Sequence, residues 1–408
     1  MAVLHPLRAL RPRPEQAAAV AAVPYDVVST KEARSMAAGK PLSFLHVSRA
    51  EIDLPADTDP YAPTVYETAA RNFTRLRAEA PLVQESTRSV YFYRLRMGGH
   101  EQTGLAACFS VDEYESDLIR KHERTRKDKE DDRTRHIVEL RAQTGPVFLT
   151  YVASAGVDGI AARVTAGAPL FDFTAGDAVQ HTVWRVPDAD ASALVEAFAR
   201  IPVLYIADGH HRAASAMRAR QVQRERDGHT GPIEADTFLA VAFPHDQTQI
   251  LPYHRLVKDL AGRSKGAFLD ALRTRCVVGE EGGPVPGAQG RVSMYLGGRW
   301  HSIALASPAS GAAPADRLDV ALLQDQVLAP LLGIADPRTD KRIDFVGGIR
   351  GTAALERAVD SGEAAVAFAL HPVSVTDLMA IADAGGIMPP KSTWFEPKLR
   401  DGLLTHLI

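Results

Sequence analysis

The sequence predicts an α+β protein of mixed sheets with helices, and three observations carry that prediction. Val147-Phe-Leu-Thr-Tyr-Val152 and Pro202-Val-Leu-Tyr-Ile-Ala207 are short continuous apolar runs of the kind that fill a buried strand. Residues 61–79 instead place Val65, Ala69, Phe73 and Leu76 at helical spacing. Strand-like and helix-like segments are mixed along the chain without the regular alternation of βαβ units.

In chain order, Val23-Pro-Tyr-Asp-Val-Val-Ser29 reads as strand and turn, with Ser29 or Thr30 capping a helix over 31–38. Residues 89–96 alternate as a strand, Gly98-Gly99 turns, and 105–111 returns. The stretch 120–135 mixes charges of both signs, which suits a solvated helix or an ordered surface loop, and Gly145-Pro146 ends it. Strands at 147–152, 179–186 and 202–207 follow, with a helix over 192–200 before the last. From His211 the spacing of Ala213, Ala214, Ala216 and Met217 is helical, so Asp208-Gly209 sits at a strand-to-helix turn. Residues 237–243 and 250–253 are further strands, and the Gly- and Pro-rich stretch 279–290 reads as a linker or a long hairpin loop. The last third carries strands at 292–296, 302–305 and 364–370 and helices at 318–332, 352–360 and 374–383. Three regions result: an N-terminal α+β region over 1–115, a core over 116–278 and a C-terminal α+β region over 291–408.

The 408 residues are 46% apolar and 24% charged, the make-up of a globular protein with room for two or three domains. A formal net charge of -3 supplies no global positive field, so nucleic acid is not an expected partner. Cys108 and Cys276 stand far apart, which suggests neither a disulfide framework nor a zinc ribbon. The N-terminus is interrupted by Pro6, Pro12 and Pro14, and no run approaches the roughly eighteen apolar residues of a membrane span. A cytoplasmic location without membrane attachment is the expectation, and assembly with further copies of the chain stays open.

The densest chemistry lies in Asp208-Gly209-His210-His211-Arg212. A glycine that allows a tight bend, followed by free helix amides, two imidazoles and a guanidinium, is suited to phosphate. Asp208 could hold Mg²⁺ or orient a hydroxyl. His122-Glu123-Arg124 opens the charged run, and Glu123 is a candidate general base if the fold brings it near. Gly385 followed by Lys391-Ser392 nearly spells a P-loop, but Pro390 replaces its second glycine and has no N–H for a phosphate. Lys391, Ser392, Thr393 and Lys398 remain candidates to reach a phosphate or carboxylate. Tyr25-Asp26 and His254-Arg255 are candidate pocket residues. A zinc site from His122, His181, His210 and His211 lacks any familiar ligand spacing.

The chain resembles, over nearly its whole length, the family of bacterial and archaeal proteins catalogued as domain of unknown function 1015. Val-Pro-Tyr-Asp-Val-Val-Ser from Val23, Arg-Lys-His-Glu-Arg-Thr from Arg120, the Tyr205–Ala216 segment, Leu-Pro-Tyr-His-Arg from Leu251 and Met-Pro-Pro-Lys-Ser-Thr-Trp-Phe-Glu-Pro-Lys from Met388 carry the likeness. The turn alone resembles the phosphate-binding box of the ParB and sulfiredoxin superfamily, and most closely the Asp-Gly-His-x-Arg of ADP-dependent free-serine kinases. That resemblance implies a ParB/sulfiredoxin-like nucleotide-binding core in which Asp208, His210 and Arg212 take matching positions. It also strengthens Glu123 as a base. His210 stands where sulfiredoxins carry their nucleophilic cysteine, so cysteine chemistry at the turn is excluded.

The resulting expectation is a phosphotransferase using ATP or ADP with Mg²⁺ on a small hydroxylated metabolite, free serine being the first candidate. Asp208, His210 and Glu123 are its catalytic candidates. Gly209, His210, His211, Arg212, Lys391 and Ser392 would bind nucleotide, and Tyr25, Asp26, His122, Arg124, His254, Arg255, Thr393 and Lys398 substrate. A nucleotide-responsive regulator without turnover and a metal-dependent hydrolase are the alternatives.

Overall fold

The computed structural model describes residues 2–79, 82–228 and 230–408. The chain divides into two compact units, Met1–Thr248 with Pro397–Ile408, and Gln249–Glu396. Both are mixtures of sheet and helix.

The first unit is built on a nine-stranded mixed sheet. Its strands are β1 (Leu4–His5), β2 (Tyr91–Met97), β3 (His100–Ser110), β4 (Ile119–Arg120), β5 (Val147–Tyr151), β6 (Phe171–Thr174), β7 (Gln180–Arg185), β8 (Leu204–Asp208) and β9 (Thr237–Pro244). They run in the order β4-β8-β5-β9-β3-β2-β7-β6, with β1 paired to β3. β8 is parallel to β4 and antiparallel to β5, so β8 occupies the sheet interior and delivers its C-terminal end to a helix. Inward-facing Phe92, Leu105, Phe109, Leu149, Ile206 and Phe238 share one core. That packing is the sort that makes continuous apolar runs read as strands. The expected division near residue 115 falls inside this sheet, where Ser110 of β3 lies opposite Thr237 of β9.

Helix α1 (Thr30–Ala37) starts on a capping box, in which Ser29 accepts from the Glu32 amide and Glu32 accepts from the Ser29 amide. Helix α2 (Pro63–Glu79) buries Val65, Ala69, Phe73 and Leu76, the stripe its spacing foretells. The mixed-charge stretch folds from Lys127 onward as α3 (Lys127–Leu140), which buries His136, Ile137 and Leu140 on its inner side. Further along come α4 (Ala155–Thr165), α5 (Asp188–Phe198) and α6 (His210–Asp227). Arg218 of α6 pairs with Glu130 at 3.5 Å and Asp131 at 2.6 Å, so α3 and α6 lie side by side.

The second unit holds a six-stranded antiparallel sheet of β10 (Tyr253–Val257), β11 (Val277–Gly279), β12 (Arg291–Leu296), β13 (Arg299–Ala304), β14 (Ile343–Gly347) and β15 (Val366–Leu370). Their order is β11-β13-β12-β15-β10-β14. The Gly- and Pro-rich stretch connects β11 to β12 within this unit, as a loop. The single helix expected over 318–332 is instead α-helix at Asp319–Leu323, a π-turn at Gln324–Leu328 and α-helix at Ala329–Leu332. Pro330 explains the break, since it has no N–H to return to the preceding turn. Among the described residues no helix is long and apolar enough to cross a membrane.

Candidate functional site

The strand-to-helix turn at Asp208-Gly209 is where the first unit gathers its buried charge. β8 shifts register against β5 between Ile206 and Asp208. Gly209 then adopts φ 96° and ψ 30° as the N-cap of α6. A side chain there would be strained by that φ, and its Cβ would lie 3.1 Å from Arg212 Cζ and Nε. As N-cap, Gly209 has no side chain to offer the first amides of α6 and the positive end of its dipole.

Glu123 reaches this turn. Its carboxylate lies 3.8 Å from His210 Nδ1, while His210 Nε2 accepts a long 3.4 Å bond from the His122 amide. The two imidazoles meet edge to face with centroids 4.4 Å apart. His122 and His210 are buried, whereas the Glu123 side chain is 60% exposed. Burial lowers the pKa of His122 to about 4, and burial followed by the neighbouring His122 holds His210 well below the usual histidine range. Both rings are therefore neutral at pH 7. His211 is half-buried, and its Nε2 accepts from the Arg126 amide at 3.0 Å.

Asp208, the residue expected to hold Mg²⁺, receives Lys398 Nζ at 2.9 Å and lies 3.6 Å from Arg212 Nη2. Burial pushes its pKa up, but Lys398 and then Arg212 outweigh burial and hold the carboxyl well below the ordinary range. With two cations in place, this carboxylate does not fit a divalent ion. Lys398, expected among substrate-binding residues, is the cation that neutralises it.

Arg212 is buried at the turn, with Nε and Nη2 lacking a hydrogen-bond partner. It is 8% exposed, its Nη1 donates to the Pro146 carbonyl, and its Nη2 lies 3.6 Å from Asp26. Burial disfavours its charge, but Asp26, Asp208 and Asp401 together raise its pKa. Tyr25 is buried under the Arg133 guanidinium, 4.2 Å from its ring centre. Arg124 is exposed on the segment between β4 and α3.

The remaining sequence candidates belong to the second unit. His254 is buried, and its Nδ1 accepts from the Leu370 amide at 3.2 Å. Burial lowers its pKa to about 4. Arg255, 1% exposed, donates to the Tyr253 and Pro390 carbonyls and stacks 4.8 Å over Phe345, and burial lowers its pKa to about 9. It ties the strand to the Pro390 loop. Lys391 has φ 54° and lies 5.6 Å over the Tyr253 ring, the Ser392 hydroxyl donates to the Pro389 carbonyl, and Thr393 is half-buried. Ser392 thus spends its hydroxyl on its own loop.

A family model described as protein of unknown function (DUF1015) matches residues 4–321. The chain belongs to that family. No curated protein matches it by sequence. Among solved structures, SbnI with C-terminal truncation from Staphylococcus aureus is 13% identical at TM-score 0.40, covering 74% of this chain and 87% of its own. A free serine kinase in complex with AMP is 12% identical at TM-score 0.35, with coverage of 73% and 91%. A conserved hypothetical protein from Pyrococcus furiosus is 13% identical at TM-score 0.33, with coverage of 74% and 95%. These likenesses are distant and fix no activity.

One participant in this DUF1015 site escapes sequence reasoning. Asp401 is 2% exposed, and a Cβ on Gly145 would meet its Oδ1 at 2.9 Å. It lies in the tail motif Lys398-Leu-Arg-Asp401, but only the tertiary fold sets it beside Arg212.

Proposed function

We infer that this DUF1015 protein is a nucleotide-dependent phosphotransferase acting on the hydroxyl of a small metabolite, with free serine as the first candidate. The observation that supports this most is the presence of Glu123, 3.8 Å from His210, at the start of α6. An anion-attracting helix end and a base candidate thereby share one place. The likeness of Asp208-Gly-His-His-Arg212 to the box of ADP-dependent free-serine kinases supports the choice of nucleotide and acceptor.

In this reading the amides at the start of α6 take the phosphate oxygens of ATP or ADP, and the helix dipole offsets their charge. Glu123 accepts the proton of the acceptor hydroxyl, with the His210 ring 3.8 Å from that carboxylate. Arg212 and Asp208 act from beneath, as the buried charges that hold the turn and Lys398 in position. Phosphoryl transfer asks chiefly for such positioning and charge neutralisation. No step is assigned to Mg²⁺, because Asp208 is already paired.

Product analysis tests it. Purified protein incubated with ATP or ADP and a pool of hydroxylated metabolites should yield a phosphorylated metabolite. Nucleotide binding without product would make the chain a regulator, and failure to bind nucleotide would end the reading.

A further inference from the structure

We propose that His122, Glu123 and His210 form a binding site for a divalent first-row transition-metal ion of the Zn²⁺ class. This does not rest on phosphotransfer: with the ion bound, Glu123 and His210 Nδ1 are ligands and not base and neighbour. One ligand atom from each residue lies within 4.8 Å of the other two. Tetrahedral ligation with arms of about 2.0–2.1 Å brings ligand atoms to roughly 3.3 Å of one another. The Glu123 to His210 separation of 3.8 Å is close to that already. The remaining adjustment falls mainly on Glu123, whose side chain is 60% exposed and has room to change rotamer.

The second observation is an orphaned atom. His122 is 2% exposed, and its Nδ1 is buried without a hydrogen-bond partner. An orphaned ring nitrogen in this place can present its lone pair to a metal ion. An unpaired buried polar atom costs about 1–3 kcal/mol, and at His122 that atom lies in a residue grouped with two further candidate ligands.

The ligands are held by neighbouring strands. His122 and Glu123 follow β4, and His210 follows β8, which pairs with β4 through Leu204 opposite Ile119 and Tyr205 opposite Arg120. Ligation through His210 Nδ1 moves the ring proton to Nε2 and gives up the 3.4 Å contact with the His122 amide, which is near the outer limit of a hydrogen bond. Two imidazoles and one carboxylate suit Zn²⁺, Co²⁺, Mn²⁺ or Fe²⁺, and not the oxygen-seeking Mg²⁺ or Ca²⁺. Three protein ligands with an exposed carboxylate leave a coordination position for solvent or substrate, as reactive metal sites do.

The test uses the full chain, stripped with chelator, dialysed and titrated with Co²⁺ while visible absorption is followed. One equivalent should bind with the intense bands of a four- or five-coordinate site, and Zn²⁺ should displace it. Glu123→Gln, exposed and harmless to folding, and His122→Asn should each weaken binding by more than about a hundredfold, beyond the 10–100-fold worth of an outer-shell partner. His371→Gln, in the second unit, should bind like wild type. Absence of a Co²⁺ spectrum in wild type overturns the proposal, and so does stoichiometric binding that Glu123→Gln leaves unchanged.

Discussion

Lys398 Nζ donates to Asp208 Oδ2 at 2.9 Å, so a residue of the Pro397–Ile408 segment neutralises the carboxylate that ends β8. Both side chains are largely buried, at 13% and 26% exposure, and Arg212 stands on the far side of the same carboxylate. Removing Lys398 should leave Asp208 with only Arg212. Lys398→Met is expected to lower stability by about 1–3 kcal/mol in urea unfolding at pH 7. Combining it with Asp208→Asn should cost less than the sum of the two single changes. Because the folded pKa of Asp208 is depressed, its stabilisation is present above the unfolded value near about 3.9 and is lost as pH falls toward the folded one. The non-additivity should therefore shrink in acid.

Gly209 carries the backbone strain of the turn. Gly209→Ala puts a Cβ at φ 96° and 3.1 Å from the Arg212 guanidinium. A left-handed non-glycine residue costs about 1–2 kcal/mol before any crowding is added. Equilibrium unfolding should show a loss of at least that size, and an unchanged midpoint would mean that Arg212 does not lie beneath the bend.

Much of this was legible in the chain. Ser29 with Glu32 announces the cap of α1, the spacing of Val65, Ala69, Phe73 and Leu76 announces α2, and Pro202 through Arg212 announces strand, turn and helix. These signals are local. The sheet order is not, because Val147 opposite Ala240 and Ala106 opposite Val241 are pairings between distant segments that no single run encodes. The burial of Arg212 was hidden for the same reason: it depends on the Pro146 carbonyl, Asp26 and Asp401 converging from three parts of the sequence. That Lys391 and Ser392 belong to the second unit is likewise something local spacing cannot show.

Asp401 should make stability depend on pH in the direction opposite to Asp208. Burial raises its pKa to about 7, against the pull of Arg212. The folded state keeps the proton that the unfolded chain loses near about 3.9, so this contribution is whole below that pH and disappears as pH rises toward about 7. Asp401→Asn, neutral throughout, should gain steadily on wild type as pH rises from about 4 to about 7 in thermal unfolding. A variant that loses ground with rising pH would contradict the assignment.

Glu123 separates binding from chemistry. In the phosphotransferase reading, Glu123→Gln should leave ADP affinity within a few-fold of wild type. Turnover should fall by about 10²–10⁴, the usual worth of a general base. Steady-state kinetics beside calorimetric ADP binding would reveal that split. Equal losses in both would make Glu123 a binding residue only.

The most direct measurement is a crystal structure of the ADP complex. The account predicts phosphate oxygens within hydrogen-bond reach of the amides of Gly209, His210 and His211, with Glu123 facing the terminal phosphate. Nucleotide bound elsewhere, with the start of α6 untouched, would contradict it.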